Sequence, residues 1–129
     1  MALSEVERLS AGKYLLLTTF RKDGTPVPTP VWVARDGELL VVWTVAGSGK
    51  VKRLRRDDTV ELAPCDVKGN PTGDPVPGRA RLLDAAGTES ARHLITRKYP
   101  VTGRLLVWGS RVRRGSKGTI GIAIEPGVA

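Results

Sequence analysis

The stretch Lys13-Tyr-Leu-Leu-Leu-Thr-Thr-Phe20-Arg-Lys-Asp23-Gly24-Thr-Pro26-Val-Pro28-Thr-Pro30-Val-Trp32-Val-Ala-Arg-Asp36-Gly37-Glu-Leu-Leu-Val-Val-Trp43-Thr44 decides how this chain folds. It reads as three strands, over residues 13–20, 27–35 and 38–44, rich in the β-branched and apolar residues that suit a half-buried sheet. Asp23-Gly24 and Asp36-Gly37 separate them. Such pairs between apolar runs signal tight hairpins, because glycine takes positive φ without steric cost. Three strands and two such turns make an antiparallel meander. Pro26, Pro28 and Pro30 resist this reading, since proline gives no N–H to a ladder. The middle strand is therefore expected to begin at an edge or bulge and to pair properly only from Val31 on.

The meander runs directly into Gly47-Ser48-Gly49-Lys50-Val51-Lys52-Arg53-Leu54-Arg55-Arg56-Asp57, with five positive charges and one negative. Ser48 suits a helix N-cap, and Val51 and Leu54 form an apolar edge. The first N–H groups of a helix carry partial positive charge, so lysine in the first turn opposes the dipole unless an anion docks there. Lys50 thus marks a place for a phosphate or carboxylate. The competing reading is a solvated basic helix.

Before the meander, residues 4–10 read as a short helix capped by Ser4, with Leu3, Val6 and Leu9 as its apolar edge and Gly12 after its end. Beyond the basic helix, strands are expected at 59–66, 78–85 and 119–125. In the last, Ile120, Ile122 and Ile124 face inward while Gly121 and Ala123 face outward. Residues 67–77 are a Gly/Pro-rich loop. Residues 88–99 form an amphipathic helix capped by Thr88, with Ala91, Leu94, Ile95 and Tyr99 on one side and His93 on the polar side. Residues 104–111 are ambiguous between helix and strand. Arg111, Arg113, Arg114 and Lys117 make a second basic cluster. About six antiparallel strands with two or three short helices predict a mainly β fold, a small barrel that closes its own edges. No linker or repeat appears, so residues 1–129 read as a single domain.

Composition narrows the function. The 129 residues carry a net charge of +8, with 40% hydrophobic residues. That describes a folded chain with anionic partners. Cys65 is the only cysteine and His93 the only histidine. Neither a catalytic Cys/His or Ser/His/Asp set nor a metal-ligand spacing is present. A lone cysteine suits a reducing cytosol. Residues 1–12 hold no apolar signal core, and the longest apolar run, 39–43, is too short to span a bilayer. A cytoplasmic location is expected. If the chain is an enzyme, a bound cofactor does the chemistry.

Several segments together carry a resemblance. They are residues 14–26 and Thr29-Pro30-Val31-Trp32, then Trp43-Thr44, Ser48-Gly-Lys-Val-Lys-Arg-Leu-Arg-Arg-Asp57, residues 60–66, residues 78–84 and Thr119-Ile-Gly-Ile. In this order they resemble the actinobacterial deazaflavin-dependent reductases of the split β-barrel superfamily, which also holds the pyridoxamine-phosphate-oxidase-like FMN proteins. The resemblance runs over roughly residues 8 to 124. It implies a split-barrel homodimer with cofactor grooves at the subunit interface. It also implies coenzyme F420, with FMN as the alternative, and hydride transfer to a small organic acceptor. The cofactor phosphate would sit on Ser48, Gly49 and Lys50, with Lys52 and Arg53 nearby. The ring would lie along Thr29, Pro30, Val31 and Thr44, with Thr18 and Thr19 as further candidates. Many relatives carry an acidic residue just before Ser-x-Lys, where this chain has Ala46-Gly47, so its loop is more positive.

Two rival functions are weighed. A cofactor carrier without turnover would carry the same residues. A nucleic-acid-binding barrel would use Arg55, Arg56, Arg79, Arg81, Arg113 and Arg114 for phosphates and Trp32, Trp43 or Trp108 for stacking. The strand tryptophans are flanked by apolar residues and read as core, which argues against nucleic acid.

Overall fold

The computed structural model describes residues 2–99 and 118–127. Its elements in chain order are α1 (Ala2–Ser10), β1 (Tyr14–Phe20), β2 (Pro26–Val31), β3 (Ala34–Asp36), β4 (Leu39–Val45), α2 (Gly49–Arg56), β5 (Thr59–Cys65), β6 (Val76–Leu82), α3 (Ala85–Lys98) and β7 (Thr119–Pro126). The strands form one antiparallel sheet in the order β2-β1-β5-β6-β7-β4-β3. Its two edge strands are halves of one segment, residues 26–36, broken at Trp32-Val33. The sheet therefore curls until its ends meet in that segment, giving the split β-barrel the resemblance implied. The second helix and the ambiguous element expected over 104–111, with the cluster of Arg111, Arg113, Arg114 and Lys117, are separate matters: α2 is observed, whereas 104–117 lie outside the described residues.

Both Asp-Gly turns form, with Gly24 at φ 88° and Gly37 at φ 62°. The expectation for the proline strand needs correction. β2 pairs with β1 from Pro26 onward, Pro26 opposite Phe20, Pro28 opposite Thr18 and Pro30 opposite Leu16. Successive strand residues aim their backbone groups at opposite edges, so three prolines at alternate positions all fall on one edge. β2 is an edge strand, and the ladder loses nothing if that edge is the free one. After Val31 the chain leaves β1 and pairs with β4 instead, Ala34 opposite Val41.

Two apolar layers hold the fold. Inside the barrel, Leu15, Leu17, Leu40, Val42, Leu62, Ile122 and Ile124 pack with Val6 and Leu9 of α1 and Leu54 of α2. Outside, α3 lies over β3, β4 and β7, and Ala91, Ile95 and Tyr99 pack on Ala34 and Val41. Ile122 and Ile124 face inward as the alternation predicts. Gly121 faces outward, but against α3 and not solvent. A Cβ built there would lie 3.0 Å from the Ala91 Cβ and 3.1 Å from the Thr88 Cα. The helix can sit this close only over a glycine. Gly121→Ala should cost about 1–2 kcal/mol, as the overpacking outweighs the entropy gained by removing a glycine. A chemical denaturation midpoint unchanged or raised in this variant would contradict the close packing.

Helix starts differ from expectation in two places. α1 begins at Ala2, so Ser4 lies inside it and not at its cap. α3 is capped by Asp84, whose carboxylate accepts from the Gly87 N–H at 2.8 Å. The helix therefore starts one turn earlier than the Thr88 cap implied. Thr88, now within the helix, turns its hydroxyl to accept from the Gly121 N–H at 3.0 Å. His93 is exposed, as expected. Cys65 is buried, and burial pushes its thiol up from the usual range.

Among the described residues no helix is long and apolar enough to cross a membrane, and no group of His, Cys, Asp and Glu could hold a metal ion.

Candidate functional site

Where β2 departs from β4, the barrel is left open. The opening is a cleft of about 340 Å³, with Thr29, Pro30, Val31 and Trp32 on one wall and Trp43, Thr44 and Val45 on the other. Tyr14, Ile95 and Thr119 complete it, and Lys50 at the start of α2 stands at its edge. Five of the residues expected from the sequence, Thr29, Pro30, Val31, Thr44 and Lys50, therefore line one cavity.

Trp32 and Trp43 were read as core. They are half-buried wall residues, so that reading is corrected for their place in the fold. Trp32 stacks on Tyr99 with ring centroids 4.4 Å apart and planes within 9°. Tyr99 is fixed in turn, donating its hydroxyl to the Lys13 carbonyl at 2.6 Å. The wall is a rigid aromatic slab, held from behind by α3. The Trp43 indole N–H is buried and has no hydrogen-bond partner.

The start of α2 gathers positive charge. Ser48 occupies the N-cap position, with φ −70° and ψ 159°, but its side chain makes no capping bond. Its hydroxyl is buried and has no hydrogen-bond partner among the described residues. A buried hydroxyl without a partner is costly, and a ligand oxygen beside it would relieve that cost. The first turn of α2 contains no acidic residue. Lys50 is half-buried, and burial, then the nearby Arg53 charge, pushes its ammonium below the usual lysine range. Arg53 is lowered likewise, by burial and then by Arg21. None of the ion pairs among the described residues involves Lys50, Arg53 or Arg21. Three cations crowd one another without a carboxylate to relieve them.

The remaining candidates spread out from this point. Arg53 donates its Nε–H to the Thr19 hydroxyl at 2.6 Å, and its guanidinium lies across Gly49. A Cβ at Gly49 would fall 2.8 Å from the Arg53 Nη1, so glycine leaves room for this fold-back. Thr19 thus acts as a seat for Arg53, fully buried itself. Thr18 lies apart, in a small hollow beneath Pro71 and Pro75. Lys52 is exposed and does not line the cleft. Sequence reasoning missed Tyr14, Trp32, Trp43, Val45, Ile95 and Thr119 as lining residues. Only the alignment of Trp32 opposite Trp43 in the extended hairpin could have signalled two of them.

Comparison with known proteins follows the same lines. The family model described as pyridoxamine 5'-phosphate oxidase matches residues 5–117. The chain belongs to the pyridoxamine 5'-phosphate oxidase family. Within the solved members of this fold, it is similar to a conserved hypothetical protein from Mycobacterium tuberculosis (20% identity, TM-score 0.69, covering 93% of this chain and 76% of the other). It is also similar to an F420 reductase (21% identity, TM-score 0.60, covering 95% and 93%). A third is the heme storage protein HutZ from Vibrio cholerae (13% identity, TM-score 0.66, covering 100% and 93%). These likenesses are of fold. A search of curated proteins gives no match. A protein described as an F420 reductase and one described as a heme storage protein thus share this fold, and the choice of ligand for this chain rests on its own cleft.

Proposed function

We propose that this protein binds coenzyme F420 in the cleft and moves a hydride between the reduced deazaflavin and a small organic acceptor. The observation that carries the reading is the joining of an apolar, aromatic-walled slot to an uncompensated cationic end. The slot runs between Thr29–Trp32 and Trp43–Val45 with Lys50 in its lining, and two residues before Lys50 the buried Ser48 hydroxyl has no partner among the described residues. A planar ring with an anionic tail has this same division of character.

In this reading the residues present suit the cofactor. Lys50, Ser48 and the first N–H groups of α2 hold the phosphate, while Arg53, seated on Thr19, adds attraction from one turn further on. Trp32 and Trp43 exclude water from the ring faces, and Thr29, Pro30, Val31 and Thr44 border its edges. When bound, the deazaflavin supplies the hydride. FMN shares the ring and the phosphate and is the alternative ligand. Carriage of the cofactor without turnover is the alternative role. Heme is the less favoured ligand, since the described residues lining the cleft include no His, Cys or Met and offer only Tyr14 as an axial donor.

The test is titration of the purified protein with F420, FMN and hemin, at two salt concentrations, followed by assay of cofactor oxidation with candidate acceptors. F420 should bind, and added salt should weaken it. Failure of both F420 and FMN to bind would end this proposal. The same reading makes the protein a homodimer, with each cleft completed at the shared interface. Light scattering should give twice the chain mass. A monomer persisting at about tens of micromolar, where stable interfaces are already formed, would count against the shared groove.

A further inference from the structure

The cleft touches consecutive residues on both walls, Thr29 to Trp32 and Trp43 to Val45. A cavity lying over the face of a strand meets alternate residues. One that meets consecutive residues faces the strand's edge. The wall formed by β2 is therefore its backbone edge, and that edge has an unusual composition.

β2 has a single partner, β1, and their register runs unbroken from Pro26 to Val31. Alternate residues of an antiparallel strand bond to the partner, and those between turn their N–H and C=O to the other edge. Proline has no N–H, so Val27, Thr29 and Val31 bond to β1. Pro26, Pro28 and Pro30 turn outward. At the cleft, β2 thus presents the Pro30 carbonyl with no N–H beside it, and Pro28 and Pro26 continue this donor-free edge beyond the cleft. The sheet offers these carbonyls no partner, since β4 pairs with β3 only over Leu39–Val41 and turns its other edge to β7. The edge is a row of acceptors.

Resting on the ring-binding reading above, we propose that this proline edge selects ligands by hydrogen-bond polarity: the ring edge that meets β2 must donate an N–H or O–H. A ring offering only carbonyls or methyl groups there would meet acceptor with acceptor, leaving buried polar groups unsatisfied. Three prolines also bar the addition of a foreign strand. That protective role explains proline on the edge, but predicts no preference among ring ligands.

The flavin and deazaflavin rings share one imide N–H, at N3, so methylation there removes that donor and leaves the flanking carbonyls; the F420 ring also carries a phenolic O–H, so its N3-methyl derivative is methylated at that oxygen as well. The experiment compares F420 and FMN with their N3-methyl derivatives by fluorescence titration of the wild-type protein. The parent rings should bind at least about tenfold more tightly than the methylated ones, the scale of one buried hydrogen bond to an unsatisfied acceptor. Pro30→Ala, checked by thermal melt, restores an N–H to the edge. It should narrow the gap, because the methylated ring's carbonyls then find a donor. Equal binding of parent and methylated rings would overturn this inference while leaving the cofactor reading intact. A gap of unchanged size in Pro30→Ala would assign the effect to the bulk of the methyl group and overturn it too. Failure of both parent rings to bind would remove the cofactor reading and this inference together.

Discussion

Lys50→Ala should weaken F420 binding by roughly ten- to a hundredfold, which corresponds to losing one charge-assisted hydrogen bond of about 1.5–3 kcal/mol. Without ligand, the same variant should be as stable as the wild type or slightly more so. The reason lies in the site's frustration. Lys50 sits in the first turn of α2, against the helix dipole, half-buried and beside Arg53. An ammonium in that position is held there at a cost of about 0.3–1 kcal/mol from the dipole alone. Loss of binding with no loss of stability is the signature of a residue kept for its ligand. Lys52→Ala should lose far less, since Lys52 points away from the cleft and acts only through screened attraction. The pH dependence has a definite sign. Burial and Arg53 lower the Lys50 pKa, so the free protein gives up this proton below the ordinary 10.5. F420 affinity should fall as the pH rises through that lowered value, and the fall should vanish in Lys50→Ala. Fluorescence titration of the variants, beside thermal melts of the free proteins, provides the check. A Lys50 variant that binds as well as wild type would remove the phosphate site.

The second large effect is expected far from the ligand. Lys98, the last residue of α3, donates from its Nζ to three backbone carbonyls: Ser10 at 2.6 Å, Gly12 at 2.8 Å and Val33 at 2.7 Å. These belong to the end of α1, the turn into β1 and the break between β2 and β3. One ammonium thus ties three separate segments to the end of a helix whose dipole favours a cation there. Burial pushes the Lys98 pKa down, so holding the charge has a cost. That cost is offset by charged hydrogen bonds, each typically worth about 1.5–3 kcal/mol. Lys98→Met keeps the apolar stem and removes all three bonds. We expect a loss of about 2–4 kcal/mol, or a melting point lower by roughly 10 °C or more. Because Val33 adjoins Trp32, the cleft wall should loosen as well, so ligand affinity should fall along with stability. A melting point within a degree or two of wild type would show that water replaces the ammonium without penalty.

These two lysines mark the border of what the sequence discloses. The strand segments and both Asp-Gly turns are local features, written in short-range alternation and in residues that tolerate positive φ; the turns form as expected, while the strand expected over 27–35 breaks at Trp32-Val33 and the one expected over 78–85 runs from Val76 to Leu82. The conflict at Lys50 is legible in the same way, since a cation in the first turn of a helix opposes the dipole whatever the rest of the fold does. The three prolines misled, because a missing N–H was counted before asking which edge it faced. Asp84 was passed over as a cap in favour of Thr88, because either residue type can cap a helix and only the fold shows which carboxylate or hydroxyl meets a free N–H. Trp32 and Trp43 could not be told from core residues, as apolar flanks are common to an interior strand and to the rim of an opening. The Lys98 clamp was invisible for a simpler reason. Its partners are carbonyl groups, which every residue has, and only the fold determines which ones are near.

The bent segment of residues 26–36 also governs how the protein comes to be assembled. β1–β2 and β3–β4 are hairpins joined by short turns, and they can form while most of the chain is still disordered. The pairing of β4 with β7 joins residues from opposite ends of the sequence, Leu40 with Ile124 among them. Such a contact is rewarded only after a long loop has closed, so it belongs late in folding. Until β7 docks, β4 has nothing along its long edge, α3 lacks Gly121 beneath it, and Thr119 is missing from the cleft. The cleft is therefore the last part of the molecule to exist. A cofactor that binds only there acts on the final step, drawing the population toward the closed barrel by mass action. Under the proposed function, cofactor supply would set how much of the chain stands folded.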